Sequence, residues 1–126
     1  MNWAAVLAFV VAFLAIVAYR LLRQAGRISA GAARTYLQQG ALIVDVRTNA
    51  EFQSGHLSSA IHIPVDEIET LAPRRLKDKD QVLLLHCATG MRSAVARGKL
   101  AAAGYTRAFN LGSYARAARI AGQPRA

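Results

Sequence analysis

The residue best suited to chemistry in this sequence is its single cysteine, Cys87. It follows the apolar run 82–85 and one histidine, and a short loop with one glycine, Gly90, then leads into a helix-forming stretch. A thiol that faces the amides of a curled loop and of a helix N-terminus is stabilised as a thiolate. Gly90 supplies the backbone angles for the curl, Arg92 adds positive charge, and Ser93 adds a hydroxyl donor. The pattern predicts a nucleophilic cysteine near neutral pH.

Other polar side chains are predicted to position this loop. Asp45 and Arg47 fall at the carboxyl end of a predicted strand, where ligands bind in parallel sheets. Arg47 is expected to pair with Glu51 across a turn, and all three are interpreted as scaffold rather than as reacting groups. His86 precedes Cys87 on a strand, so its side chain is predicted to point to the opposite face. No cysteine–histidine pair has ligand spacing, so neither a metal nor another cofactor is predicted.

The elements that carry these residues alternate between apolar strand-like runs and helical stretches. Alternation of this kind predicts an α/β fold with a largely parallel sheet covered by helices on both faces. Strands are predicted at 41–46, 60–64, 81–86 and 107–111, and helices at 30–38, 65–76, 93–103 and 114–121.

The first 22 residues form a separate unit. Trp3 through Tyr19 contains no charged residue, and 17 helical residues span about 25 Å, so we predict one transmembrane helix over 1–22. A basic juxtamembrane joint over 23–27 and one domain over 28–126 follow. A cleaved signal peptide is the alternative, disfavoured because the positive charge follows the apolar run. The same charges predict a single pass in the cytoplasmic (inner) membrane, with the N-terminus outside and the domain in the cytoplasm.

Charge is distributed unevenly along the chain. The net charge is +9, yet all seven acids lie between residues 45 and 80, and no acid follows Gln81. A basic surface of this kind attracts anionic substrates or lipids, and it also fits solvated helix faces. Nucleic-acid binding is not expected, because the basic residues are not interleaved with aromatic ones.

Taken in order, the motifs resemble those of the single-domain rhodanese family of sulfurtransferases. The matching pieces span about residues 28–124, and with the leader the chain looks like the membrane-anchored rhodanese-like proteins of bacteria. The pieces are Val44-Asp45-Val46-Arg47, Glu51-Phe52, Gly55-His56-Leu57, Ala60-Ile61-His62-Ile63-Pro64, Cys87-Ala88-Thr89-Gly90-Met91-Arg92-Ser93, Gly104-Tyr105 and Asn110-Leu111-Gly112.

The resemblance implies a three-layer sandwich with a central, mainly parallel five-stranded sheet. It also implies a reaction: Cys87 takes a sulfane sulfur from a donor such as thiosulfate and passes it to a thiol or another nucleophile. The amides from Ala88 to Ser93 would hold the persulfide, Arg92 would bind the anionic donor, and His56 would brace a turn near the site.

Two other functions stay open beside this one. The domain could be a non-catalytic interaction module at the membrane, or a cysteine phosphatase or arsenate reductase. The phosphatase reading is disfavoured because such enzymes place arginine six positions after the cysteine, where this chain has Ser93. Ala88 and Thr89 replace basic residues of some thiosulfate-using members, so a persulfidated protein or small thiol is an equal candidate donor.

Overall fold

The computed structural model describes residues 2–125. Six α-helices and four β-strands follow one another along the chain, with a short 3-10 turn, Val65–Glu67, before α4. The elements are α1 (Trp3–Arg23), α2 (Ala30–Gln38), β1 (Leu42–Asp45), α3 (Asn49–Gln53), β2 (Ala60–His62), α4 (Ile68–Arg75), β3 (Leu83–Cys87), α5 (Met91–Ala102), β4 (Ala108–Ser113) and α6 (Tyr114–Ala121).

The four strands form one parallel sheet in the order β2-β1-β3-β4. Alternate side chains of each strand enter two separate apolar clusters, which explains why the strands read as continuous apolar runs. Leu83 and Leu85 pack with α4 and α5, whereas Leu84 packs with α2 and α6. The predicted α/β fold with helices on both faces of a parallel sheet is therefore confirmed.

The number of strands differs from the prediction of five. At the edge beside β4, the position of a fifth strand is reduced to one parallel bridge between Arg27 and Asn110. Ile28 N donates to Asn110 O over 3.1 Å, and Asn110 N donates to Gly26 O over 2.9 Å. A longer strand cannot form here, because α1 ends at Arg23, a turn follows, and α2 begins seven residues later, at Ala30.

Some predicted boundaries also change. No helix is predicted over residues 49–53, yet α3 forms there because Thr48 and Glu51 make a capping box. The Glu51 N–H donates to Thr48 Oγ1 over 3.2 Å, and the Thr48 N–H donates to Glu51 Oε1 over 3.1 Å. The helix predicted at 65–76 is divided into the 3-10 turn and α4, which contains Pro73. Helix α5 begins at Met91, two residues before the predicted Ser93.

Helix α1 is long and apolar enough to cross a membrane. It has 21 residues, a mean hydropathy of 2.5, and no buried residue. Asn2 caps its N-terminus through hydrogen bonds from the Ala4 and Ala5 amides, and its last turn carries Arg20 and Arg23. Because none of its side chains is buried against the domain, α1 is not a core helix of the sheet.

Candidate active site

Cys87 lies at the carboxyl end of β3, fully buried, with its Sγ facing the loop that follows. The Gly90 N–H donates to Cys87 Sγ over 3.0 Å. Gly90 has a left-handed φ of 96° and caps α5, so the helix N-terminus is directed at the sulfur. The loop predicted from the sequence to surround the thiol is therefore formed as a cradle of amides.

Burial and hydrogen bonds shift the pKa of the Cys87 thiol in opposite directions. Burial alone raises the pKa of the thiol, but the Ser93 hydroxyl and the amides of Ser93, Thr89 and Gly90 outweigh it and hold the pKa below the ordinary value. Ser93 is fully buried, with its Oγ 3.5 Å from Cys87 Sγ. A lowered pKa raises the fraction of Cys87 that is thiolate at a given pH, and the thiolate is the nucleophilic form of cysteine.

The remaining loop residues differ in exposure. Ala88 and Thr89 are exposed, and Met91 and Arg92 are half-buried. Thr89 also forms a bridge with Ser113 at the end of β4, and this contact joins the loop to the sheet. An approaching substrate therefore meets Ala88 and Thr89, while the sulfur stays below the surface.

Asn110 is central to the site and was not predicted as a site residue. Its Oδ1 accepts hydrogen bonds from Ser93 Oγ over 2.7 Å and from Gly112 N over 2.9 Å. Its Nδ2 donates to Gly90 O over 3.1 Å and to Arg23 O over 2.9 Å. This one buried amide therefore ties the cysteine loop to the last residue of α1. The family motif around Asn110 was the only signal for it in the sequence.

Arg92 is held by Glu51 across the mouth of the loop. The two side chains form a bidentate ion pair with N–O distances of 2.6 and 2.9 Å. The hydrogen bond from Arg92 is the main reason that the pKa of Glu51 is lowered to about 2. The predicted pair between Arg47 and Glu51 is therefore wrong, because Glu51 is the partner of Arg92.

Arg47 instead pairs with Asp45, two residues before it. Its Nη2 lies 2.7 Å from Asp45 Oδ2 and also donates to Gly55 O over 2.8 Å. The guanidinium covers the ring of Tyr114 at 4.2 Å. Burial works to lower the pKa of Arg47, but its hydrogen bond and charge interaction with Asp45 raise it overall. Arg47 and Arg92 are thus each paired with an acid.

The histidines contribute structure rather than a base beside the sulfur. His86 is fully buried, stacks on Tyr114, and has Nε2 3.6 Å from Asp45 Oδ2. Burial lowers its pKa, so the ring is neutral at physiological pH. His56 stacks on Phe52 at 3.7 Å and donates from Nδ1 to the Phe52 carbonyl over 2.9 Å. Within residues 2–125, no group of three or more potential metal ligands occurs.

Comparison with known proteins identifies the family of the domain. The sequence model of the Rhodanese-like domain family matches residues 29–116. The chain is similar to Thiosulfate sulfurtransferase PspE of Escherichia coli K12, at 32% identity over 69 residues that cover 55% of this chain and 66% of that protein. It is 34% identical over 92 residues to Thiosulfate sulfurtransferase 18 of Arabidopsis thaliana, covering 64% of this chain and 68% of that protein.

Other relatives are longer than this chain. It is 30% identical over 92 residues to tRNA uridine(34) hydroxylase of Erwinia tasmaniensis, but it spans only 26% of that protein, against 67% of its own length. Among solved structures, it resembles the human single-domain sulfurtransferase TSTD1, with a TM-score of 0.64, 28% identity, and coverage of 75% of this chain and 96% of that one. A family match over residues 29–116, the parallel sheet and the cysteine loop lead to one conclusion: the chain belongs to the rhodanese-like sulfurtransferase family, with a single rhodanese-like domain.

Proposed function

We propose that this protein is a membrane-tethered sulfurtransferase that carries a sulfane sulfur on Cys87. The observation that carries the proposal is the sulfur itself, which is buried and receives the Gly90 amide over 3.0 Å. A buried thiol without such donors is inert, whereas this one has a lowered pKa. The names of PspE and Thiosulfate sulfurtransferase 18 support the same reaction class.

Transfer takes place in two displacement steps at sulfur. The Cys87 thiolate attacks the outer sulfur of the donor, a new S–S bond forms, and the old S–X bond breaks. The leaving group departs with the electron pair: sulfite when the donor is thiosulfate, or a thiolate when the donor is a persulfide. An acceptor thiolate then attacks the outer sulfur of the Cys87 persulfide, and the Cys87 thiolate is released.

The loop amides favour both charged states of this cycle. The thiolate and the terminal sulfur of a persulfide are anions, and a curl of N–H groups stabilises an anion wherever the sulfur sits within it. Arg92 adds a positive charge at the mouth, reduced by its pair with Glu51. Arsenate or phosphate would require an arginine free to grip the oxyanion from two sides, and the bidentate contact to Glu51 opposes that use.

The tether is helix α1, which we place across the cytoplasmic membrane with the domain in the cytoplasm. Its length, its hydropathy and its lack of burial support insertion. Arg20 and Arg23 at its carboxyl end support a cytoplasmic domain. A reporter fused to the C-terminus should be active only as a cytoplasmic reporter, and activity of a periplasmic reporter there would overturn this orientation.

Turnover of the full chain in detergent tests the reaction. Thiosulfate and a small-molecule persulfide serve as donors, with cyanide and a thiol as acceptors. We expect turnover with at least one pair, its complete loss in Cys87→Ala, and a raised KM for thiosulfate in Arg92→Ala. Arg74→Ala, an exposed arginine on α4, is the matched control. Absence of turnover with every pair would leave a non-catalytic interaction module as the function.

A further inference from the structure

A cleft of about 320 Å³ lies beside the cysteine loop and is strongly basic. Its floor includes Ala88 and Thr89, the two residues that follow Cys87. Its walls carry four arginines from two separate parts of the chain, the end of α1 with the turn after it and helix α6: Arg23, Arg27, Arg116 and Arg119. This volume is at the lower end of the range for small-molecule sites.

No acid in the described residues neutralises these arginines. Among residues 2–125, none of the four has a carboxylate within 4.0 Å. Arg116 is fixed by neutral acceptors, since it donates to Leu111 O and to Ile28 O, both over 2.7 Å. Burial lowers its pKa, and the neighbouring charges of Arg27, Arg119 and Arg34 lower it further. Like charges are thus held together at a cost that a bound anion would relieve.

Two other arginines of the site are neutralised, unlike those of the cleft. Arg92, in the cysteine loop, is paired with Glu51, and Arg47, at the end of β1, is paired with Asp45. Ala88 and Thr89 supply no charge. The uncompensated positive charge next to the site therefore lies in the cleft, and an anionic substrate is drawn there first.

The cleft is also rigidly joined to the loop. Asn110 binds the Arg23 carbonyl and the Gly90 carbonyl with the same amide nitrogen, at 2.9 and 3.1 Å. Thr89, on the cleft floor, is bridged to Ser113. Cys87 itself does not line the cleft. These contacts fix the position of the cleft relative to the sulfur.

We propose that this cleft binds the carboxylate end of a small organic persulfide or thiol, and so selects anionic organic sulfur compounds as substrates of the transfer. The proposal rests on the sulfurtransferase function given above and adds no chemical step to it. The ligand must fill the cleft and still extend past Ala88 to Cys87. Thiosulfate is too small to do both, whereas a tripeptide-sized thiol with two carboxylates matches four guanidinium groups.

Kinetics with two donors of similar shape test the selection. The probes are glutathione persulfide, which has two carboxylates, and the persulfide of glutathione diethyl ester, which has none. The variant is Arg27→Gln with Arg119→Gln, both exposed residues, in the full chain in detergent. We expect KM for the carboxylate donor to rise about tenfold at unchanged kcat, because charge-assisted hydrogen bonds are lost. KM for the ester donor should stay within about twofold of its value in the native protein. The control Arg74→Gln should leave KM for both donors within the same range. Equal effects on both donors, or none, would overturn the proposal.

A binding measurement separates failure of the cleft from failure of the reaction. S-methylglutathione cannot accept or donate sulfur, so its binding to Cys87→Ala protein is measured by calorimetry. We expect binding that weakens with added salt and disappears in the Arg27→Gln, Arg119→Gln background. If turnover is absent but this binding is present, the cleft assignment stands and the enzymatic one falls. If S-methylglutathione does not bind, the proposal is overturned. This includes the case in which nanodiscs of anionic phospholipid perturb the cleft arginines and nanodiscs of phosphatidylcholine do not, because the cleft would then bind a lipid headgroup.

Discussion

Ser93 Oγ lies 2.7 Å from Asn110 Oδ1 and 3.5 Å from Cys87 Sγ. A hydroxyl has one proton, so Ser93 donates to the amide oxygen or to the sulfur at any moment. Asn110 Oδ1 also accepts the Gly112 N–H over 2.9 Å, so it remains satisfied when Ser93 turns towards the sulfur. The site can therefore supply a hydroxyl donor to the thiolate without leaving a buried acceptor unpaired.

Replacing Ser93 by alanine is expected to raise the pKa of Cys87. The Ser93 hydroxyl is the foremost of the groups that lower this pKa against the effect of burial. The rate of Cys87 alkylation by iodoacetamide, followed against pH, should reach its midpoint at higher pH in Ser93→Ala than in the native protein. Ser54→Ala removes an exposed hydroxyl that bonds to Ala50 O and is the control. A midpoint that does not move would contradict the role given to Ser93.

Replacing Glu51 by glutamine should strengthen the binding of small anions at the loop. The change removes the charge that neutralises Arg92, while glutamine still fits the capping box with Thr48. Because both side chains are about a third exposed (34% and 33%), the effect is modest. We expect KM for thiosulfate to fall about threefold, equivalent to less than about 1 kcal/mol.

The control for this change is Glu69→Gln. Its pair with Lys99 is exposed and longer, at 3.5 Å, and it lies on helices outside the loop. An unchanged or increased KM in Glu51→Gln, or an equal decrease in the control, would show that the Glu51 pair does not limit the charge of Arg92.

The buried His86 makes folding stability dependent on pH. Its pKa in the folded protein is lower than in the unfolded chain, because burial disfavours the charged ring. The unfolded chain therefore binds the proton first, so stability is complete above about pH 6.5 and is lost as the pH falls below it. Urea unfolding between about pH 7 and pH 5 should show this decline. The slope should be smaller in His86→Gln, and an undiminished slope in that variant would contradict this assignment.

Replacing Gly90, the cap of α5, and Gly98, inside α5, by alanine should change the stability of the fold in opposite directions. Gly90 has φ 96°, and a Cβ there would meet the Arg23 carbonyl at 3.1 Å. Gly90→Ala is therefore expected to destabilise the fold by at least about 1–2 kcal/mol and to slow Cys87 alkylation. Gly98 has open space around it inside α5, so Gly98→Ala should stabilise by about 0.5–1 kcal/mol. Equal effects in urea unfolding would contradict the strained cap at Gly90.

Local patterns in the sequence predicted the sheet and the cysteine loop well. The runs around Leu84 and Ile43 identify buried strands, because both of their faces are covered. Cys87 and Gly90 identify the loop, because a strand, a glycine and a helix follow one another within a few residues. These signals act over short distances along the chain, which is why they can be read without the fold.

Pairings between distant parts of the chain were not predictable in this way. Glu51 and Arg92 are 41 residues apart, and only the packing of α3 beside the loop brings them together. The nearer candidate, Arg47, was expected to pair with Glu51 but is taken by Asp45. Asn110 lies in a strand where only the family motif marks it, and its partners come from α1 and the loop. The missing fifth strand likewise depends on where α1 ends.

The most direct test of the account is the intact mass of the full chain after incubation with a sulfane-sulfur donor and removal of the excess. We expect a gain of one sulfur atom, located by peptide mapping at Cys87, lost on addition of a thiol acceptor and absent in Cys87→Ala. Ser93→Ala should gain the same mass more slowly at neutral pH, because less of its Cys87 is a thiolate. If Cys87 gains no sulfur from thiosulfate or from any organic persulfide, the sulfurtransferase function is contradicted.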